Sequence, residues 1–203
     1  MLKTNRSVGA RKGMGRRNLR ENILDAALQI FSRRGYAAAS LREIIESIGV
    51  SKGGFYHHFA TKEILFVGVV ERILSGLNEG IVQSADSDRS FEERLRFLFV
   101  SPLLRNEGYL GLLVDGVRSS EYVRTRVGEM LRDVLRRCER LLQEGQQLGL
   151  VRDMIDCGAW AVQIVSTMEG AFLLASLGGM SNLRESLNRM YEQTWRSIKA
   201  LSM

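Results

Sequence analysis

A chain of 203 residues with 45% hydrophobic content, one proline and a net charge of +6 has the length for one domain or two small ones, and the composition of an all-helical soluble protein. Its two cysteines, Cys138 and Cys157, are far apart and lack metal-ligand spacing, which argues against a disulfide framework and for a reducing cytosol. The first 20 positions are basic without an apolar core segment, and the longest apolar run, 159–177, is broken by Gln163, Ser166, Thr167 and Glu169; both facts argue against a signal peptide or a membrane span.

Residues 1–16 read as a flexible basic arm, with no acidic residue before Glu21. Such an arm suits a phosphate backbone or a minor groove. A first helix is expected from about Arg17 to Arg34, with Ile23, Ala27, Ile30 and Phe31 on its inner face and Gly35 as its stop. Next comes the most informative stretch, 40–62. Ser40 and Glu43 have the spacing of a capping box, Leu41, Ile44, Ile45 and Ile48 form an apolar stripe, and Gly49 can end the helix in the left-handed conformation. Ser51 can cap a short second helix that opens with Lys52-Gly53-Gly54. Two short helices across a glycine turn make a helix-turn-helix, whose second helix enters a DNA major groove. A glycine pair weakens a helix by about 1 kcal/mol per glycine relative to alanine, which is tolerable where the backbone must approach a partner closely.

Charge agrees with this placement. Residues 1–62 hold twelve Lys and Arg against four Asp and Glu, whereas 63–203 hold 17 against 19. An uneven balance of this kind points to a polyanion partner for the basic end.

Beyond it, Thr61 can cap a long helix to about Ser84, and 85–89 is a polar linker. Ser90 and Glu93 form a second capping box, and Pro102 is tolerable only near the end of the helix they open. After a break at Asn106–Gly108, helices are expected at about 109–118 and 120–148. Gly149 ends the second of these. Asp153 is expected to cap a helix to Leu177, Gly178 to stop it, and Ser181 to cap a last one to about Leu201. Nine helices and no strand follow. There is no nucleophile elbow, phosphate-binding loop or dinucleotide fingerprint, so an enzyme is not expected, nor a cofactor or a metal. His57 and His58 are adjacent, point about 100° apart and have no partner pair elsewhere, so DNA contact suits them better than zinc.

Together the residues of 23–65 resemble the DNA-binding domain of TetR-family transcriptional regulators. The resemblance is carried by Ala26-Ala-Leu-Gln-Ile-Phe31, Gly35-Tyr36, Ser40-Leu-Arg-Glu-Ile-Ile45, Gly49-Val-Ser-Lys-Gly-Gly-Phe-Tyr-His-His-Phe59 and Lys62-Glu-Ile-Leu65. It implies a three-helix helix-turn-helix domain at 17–62 and a larger helical effector-binding and dimerisation domain at 63–203. It implies contact with double-stranded DNA through Ser40, Arg42, Ser51, Lys52, Gly53 and Gly54, and through Tyr56, His57, His58 and Lys62, with Tyr56 and Lys62 on phosphates. Phe55 and Phe59 match inward-packing positions. Ile45 stands where the family usually has alanine. One branch of the family carries a reactive cysteine before the glycine of the helix five to six connection. Here that place reads Asn106-Glu107-Gly108, which argues against a thiol sensor.

In the larger domain an apolar or aromatic effector is expected against Phe97, Tyr109, Leu113 and Met130, joined by Trp160, Gln163 and Thr167 on one face of helix eight. The homodimer contact is expected through Val165, Met168, Glu169 and Phe172 of that helix, with Leu187, Tyr191 and Trp195 of the last. Which face of helix eight meets the partner copy is open. Glu169 is the only charge between Asp156 and Arg184, so it must be paired, neutralised or functional, either in the pocket or across the dimer. The chain is thus expected to be a cytoplasmic, ligand-responsive repressor on a palindromic operator, or a DNA-binding dimer governed by a protein partner.

Overall fold

A computed structural model describes residues 16–82, 90–99 and 109–200. The basic arm save Arg16, the linker at 85–89, Pro102 and Asn106–Gly108 lie outside them. Nine helices are present among the described residues: α1 Arg16–Ala38, α2 Leu41–Ile48, α3 Lys52–His58, α4 Lys62–Val82, α5 Phe91–Phe99, α6 Tyr109–Ser119, α7 Glu121–Gln147, α8 Cys157–Ser176 and α9 Leu183–Ile198. The only β pairing among them is an isolated antiparallel bridge between Val151 and Lys199. The class is all-α, as expected.

The inner face of α1 is Ile23, Leu24, Ala27, Ile30 and Phe31, all buried. Gly35 breaks the helix at φ 78°, ψ 166°, a conformation closed to a residue with a Cβ, and one short turn resumes through Ala38. Ile44 and Ile45 of α2 complete the small N-terminal core, so the larger side chain at 45 is accommodated at 7% exposure. In α4 the buried run Leu65, Phe66, Val69, Val70 and Leu74 belongs to both halves of the molecule. Its upper part faces α1, its length packs on α7, and it also meets α5. Helices α7, α8 and α9 follow in antiparallel contact, with α5 on α9.

Several expectations are corrected. The first capping box is half formed: Glu43 N–H donates to Ser40 Oγ at 3.2 Å, but the Glu43 carboxylate pairs with Arg34 Nε at 2.8 Å. The second forms in both directions, with Ser90 N–H donating to Glu93 Oε2 at 2.8 Å and Glu93 N–H to Ser90 Oγ at 3.3 Å. Helix α8 is capped by Asp156, not Asp153. The backbone before it is already committed: Arg152 N–H donates to Ile198 O, and Gln146 Nε2 donates to the carbonyls of Arg152, Asp153 and Ile155. Helix α9 is capped by Asn182 rather than Ser181, and stops at Ile198, where Ala200 N–H turns to Leu150 O at 2.9 Å.

The largest correction concerns the expected dimer face. Leu187, Tyr191 and Trp195 are core residues, with Tyr191 edge-on to Phe99 at 5.8 Å and Trp195 beside Phe91 at 5.9 Å. Met168 and Phe172 also point inward, and Val165 is half-buried. The apolar stripe that would serve a partner is used within the protomer, by α5 and α7. The exposed large apolar side chains on α8 and at its C-cap are Val162, Leu173, Leu174 and Leu177. This helix has the length and hydropathy of a membrane span, yet Cys157, Ala161, Ile164 and Ala171 are buried in the core beside α7 and α9.

Candidate nucleic-acid interface

The recognition unit is set by local chemistry. Gly49 takes φ 66° and closes α2 with its N–H on Ile45 O at 3.1 Å. Two residues on, Ser51 Oγ accepts from Gly54 N–H at 3.1 Å and starts α3. Phe55 and Phe59, both buried with centroids 6.4 Å apart, pin α3 to the core. One face of the helix is thereby turned outward. Ser51, Lys52, Gly53, Tyr56 and His57 are exposed, while Gly54 and His58 are half-buried. Ser40 and Arg42 are exposed at the start of α2, and Arg42 Nε holds Glu46 at 2.7 Å. Of the nine expected DNA-contact residues at the start of α2 and along α3 with its cap, seven are exposed.

The tenth, Lys62, has a second occupation. Its ammonium donates to Ala37 O at 3.0 Å and sits 4.6 Å from the centre of the Tyr36 ring. Burial lowers its pKa, against the opposing pull of Glu63 and Asp115. Two of its three N–H groups remain for a phosphate.

The glycines of α3 differ from each other. A Cβ on Gly54 would meet the capping Ser51 Oγ at 3.2 Å, whereas one on Gly53 would meet nothing within 4 Å. Gly53 is exposed and in ordinary helical conformation. The described fold gives no steric reason for the missing side chain.

The unit is tied to the larger domain at the Gly35 kink. Ala37 N–H donates to Asp115 Oδ2 of α6 at 3.1 Å, and a Cβ on Gly35 would stand 2.9 Å from the same oxygen. Phe66 of α4 lies edge-on to Tyr36 at 4.8 Å and to Phe31 at 5.3 Å. α6 comes so near that a Cβ on Gly116 would be 2.5 Å from the Phe66 ring. The Tyr36 hydroxyl is pushed up to about 12, chiefly by burial, and then by Glu63. Asp115 was invisible to sequence reasoning, because nothing in the spacing of α6 marks the one carboxylate that reaches 78 residues back.

A cavity of about 330 Å³ between α4 and α7 is lined by Glu71, Leu74, Arg126, Glu129, Met130, Asp133 and Arg137; Met130 is the one expected residue in it. Leu113 is buried, Phe97, Trp160 and Thr167 are half-buried, Gln163 is exposed, and the Tyr109 side chain lies outside the described residues. Cys138 and Cys157 are buried free thiols, and burial pushes Cys138 up to about 12. Among the described residues no group of three His, Cys, Asp or Glu is placed to hold a metal.

Comparison with known proteins adds the following. Residues 23–69 match the model of bacterial regulatory proteins of the tetR family, and 110–191 that of a tetracyclin repressor-like C-terminal domain. The HTH-type transcriptional repressor DhaR of Mycobacterium sp. (strain GP1) is 23% identical over 175 residues, covering 79% of this chain and 83% of its own. The nucleoid occlusion factor SlmA of Vibrio vulnificus (strain YJ016) is 28% identical over 202 residues, covering 93% and 97%. A solved transcriptional regulator from Saccharomonospora viridis, in complex with choline, has the same fold at a TM-score of 0.70 and 21% identity, over 91% of this chain and 100% of that one.

Proposed function

The chain belongs to the TetR family of DNA-binding transcriptional regulators, and from that premise we propose that it is a cytoplasmic homodimeric repressor, released from a palindromic operator by a small apolar or aromatic effector. The observation that carries the DNA part is Gly53, bare and exposed on the outer face of α3 with open space around it. A helix loses about 1 kcal/mol by having glycine there, and a close backbone approach to the sugar-phosphate wall of a groove is what offsets it. Lys52, Tyr56, His57 and Arg42 surround it with donors. Two copies would present two α3 helices to major grooves about 34 Å apart on one side of the duplex.

The second copy fits against α8. Val162, Leu173, Leu174 and Leu177 form an uncharged exposed flank, with Gln163, Ser166 and Gly170 between them. The effector acts through α4 and α6, which run from the larger domain to the Gly35 kink. A ligand that prefers one arrangement of these helices shifts the spacing of the two α3 helices by its difference in affinity, and by no more. The Saccharomonospora viridis relative, with its bound choline, supports a small-ligand site in this fold.

The alternative reading is a DNA-binding dimer governed by a protein partner without a small ligand. One experiment separates the two. Footprinting on the DNA flanking the protein's own gene should protect a two-fold symmetric site, and candidate metabolites should lift the protection. Protection that no metabolite lifts, but that a protein fraction changes, favours the second reading. Equal binding to every DNA fragment at 0.15 M salt would refute both.

A further inference from the structure

The cavity between α4 and α7 has two polar walls that do not bond to each other. On the α7 wall, Arg126 Nη1 donates to Glu129 Oε2 at 2.6 Å and Arg137 Nε to Asp133 Oδ2 at 2.7 Å. Both pairs run along α7, one between residues three apart and one between residues four apart, so neither reaches across to α4. Each guanidinium spends one of its N–H groups in this way, and the others meet no acceptor among the described residues. The α4 wall carries Glu71, which makes no hydrogen bond or ion pair with any described residue. Leu74, one turn on from Glu71 and buried, and Met130, one turn on from Arg126 and half-buried, supply the apolar lining.

An unpaired carboxylate on a surface is ordinary by itself. Glu71 differs in what it shares a space with: spare guanidinium donors on the other helix, apolar side chains from both helices, and a volume of about 330 Å³. That volume falls within the range of small-molecule sites, about 300–1,000 Å³. The cavity thus offers an acceptor on one wall, donors on the other and hydrocarbon as well. The next residue along α4 leaves the cavity and holds the DNA-binding half. Arg72 Nη2 lies 2.8 Å from Asp25 Oδ1 of α1, and Arg72 Nη1 lies 3.5 Å from Glu21 Oε2. A body bridging α7 to Glu71 therefore acts on the turn of α4 that grips α1.

We propose that this cavity is the effector site, and that it takes an aliphatic amino acid with its ammonium and carboxylate at opposite ends. This rests on the reading of the chain as a ligand-responsive regulator, and adds charged ends to the apolar body expected there. The ammonium pairs with Glu71, and the carboxylate accepts from the spare N–H groups of Arg126 and Arg137. Charge-assisted hydrogen bonds of both kinds are stronger than neutral ones, and guanidinium suits a carboxylate in particular. The methylene chain lies on Leu74 and Met130. A simple amine satisfies only the α4 wall. A simple carboxylate satisfies only the α7 wall and is repelled by Glu71.

The test uses the full chain at pH 7.5 and three probes of one length, 6-aminohexanoate, n-hexylammonium and hexanoate. The reporter is the carbon-13 signal of the Met130 methyl group, one of eight methionines, assigned through Met130→Leu. 6-Aminohexanoate should shift that signal saturably and bind roughly tenfold or more tighter than either single-ended probe, a difference of about 1.4 kcal/mol. Glu71→Gln should bind 6-aminohexanoate and hexanoate alike, and its retained hexanoate binding shows that the cavity has survived. The double variant Arg126→Gln, Arg137→Gln should bind 6-aminohexanoate and hexylammonium alike. Equal affinity of the wild type for 6-aminohexanoate and either single-ended probe overturns the proposal, as does an advantage that survives in Glu71→Gln. Absence of a saturable Met130 shift also overturns it, as does a shift confined to other methionines, which would put the ligand elsewhere. Retention of DNA by the wild type is measured alongside. If no DNA is retained, the regulator reading fails while the probe preference is still read on its own.

Discussion

At the scale of single residues, two side chains are out of step with the fold around them, and each yields a prediction. Gly53→Ala should stabilise the protein by about 0.5–1 kcal/mol, since its Cβ enters open space and the helix gains propensity. The same change should weaken DNA binding. Denaturant unfolding and fluorescence anisotropy on one preparation would show the opposite signs, and a gain in both would remove the close-approach argument. Glu169 makes stability depend on pH. Its folded value is raised to about 7 above an ordinary value of 4.5, so the native state binds the proton more tightly than the unfolded chain. That advantage is complete below about pH 4.5 and is lost as pH rises through 7. The loss is of the order of 3 kcal/mol, an upper figure since the group is not wholly enclosed. Glu169→Gln should flatten the stability profile between pH 5 and 8. Both residues stood out in the sequence, Gly53 as half of a glycine pair and Glu169 as a lone charge. Their surroundings did not, because whether a Cβ or a carboxyl oxygen has a neighbour depends on residues of other helices.

At the scale of elements, helix type and order were legible because apolar periodicity is local. The ends of helices were legible where the cap lies next to the periodic run, as at Ser40, Ser51 and Ser90. They were misread where a distant group decides. Asp153 is as good a cap as Asp156 by residue type, but Gln146 draws in three carbonyls before α8 and moves the start of the helix. Gln146→Ala should cost about 1–3 kcal/mol, because those carbonyls lose their donor in a part-buried turn. Asp156→Ala should cost about 1 kcal/mol, the usual value of a lost cap. Urea unfolding of both variants gives the order. A greater loss for Asp156→Ala would show that the cap and not the turn holds α8 in place. The face of α9 was misread for a related reason. An amphipathic stripe says that one side is covered, not whether the cover is the same chain or another copy.

At the scale of the whole molecule, one link between the two halves is at the Gly35 kink, with Asp115 on one side and Lys62 and Phe66 on the other, and a second is Arg72 of α4 on Glu21 and Asp25 of α1. Asp115→Ala leaves the Ala37 N–H without its carboxylate. It should cost about 1–2 kcal/mol and fall unevenly: amides of α1 to α3 should exchange faster with solvent, and those of α7 to α9 should keep their protection. Uniform loss of protection would mean that the two halves unfold as one unit.

The bridge between Val151 and Lys199 has a bearing on how the protein is made. Arg152 N–H donates to Ile198 O, Arg152 Nε to Lys199 O and Ala200 N–H to Leu150 O, so the turn that launches α8 is completed by residues 47 positions later. On the ribosome α8 can reach its final seat only after the end of α9 has emerged. Until then the hydrogen bonds that fix the start of α8 cannot form.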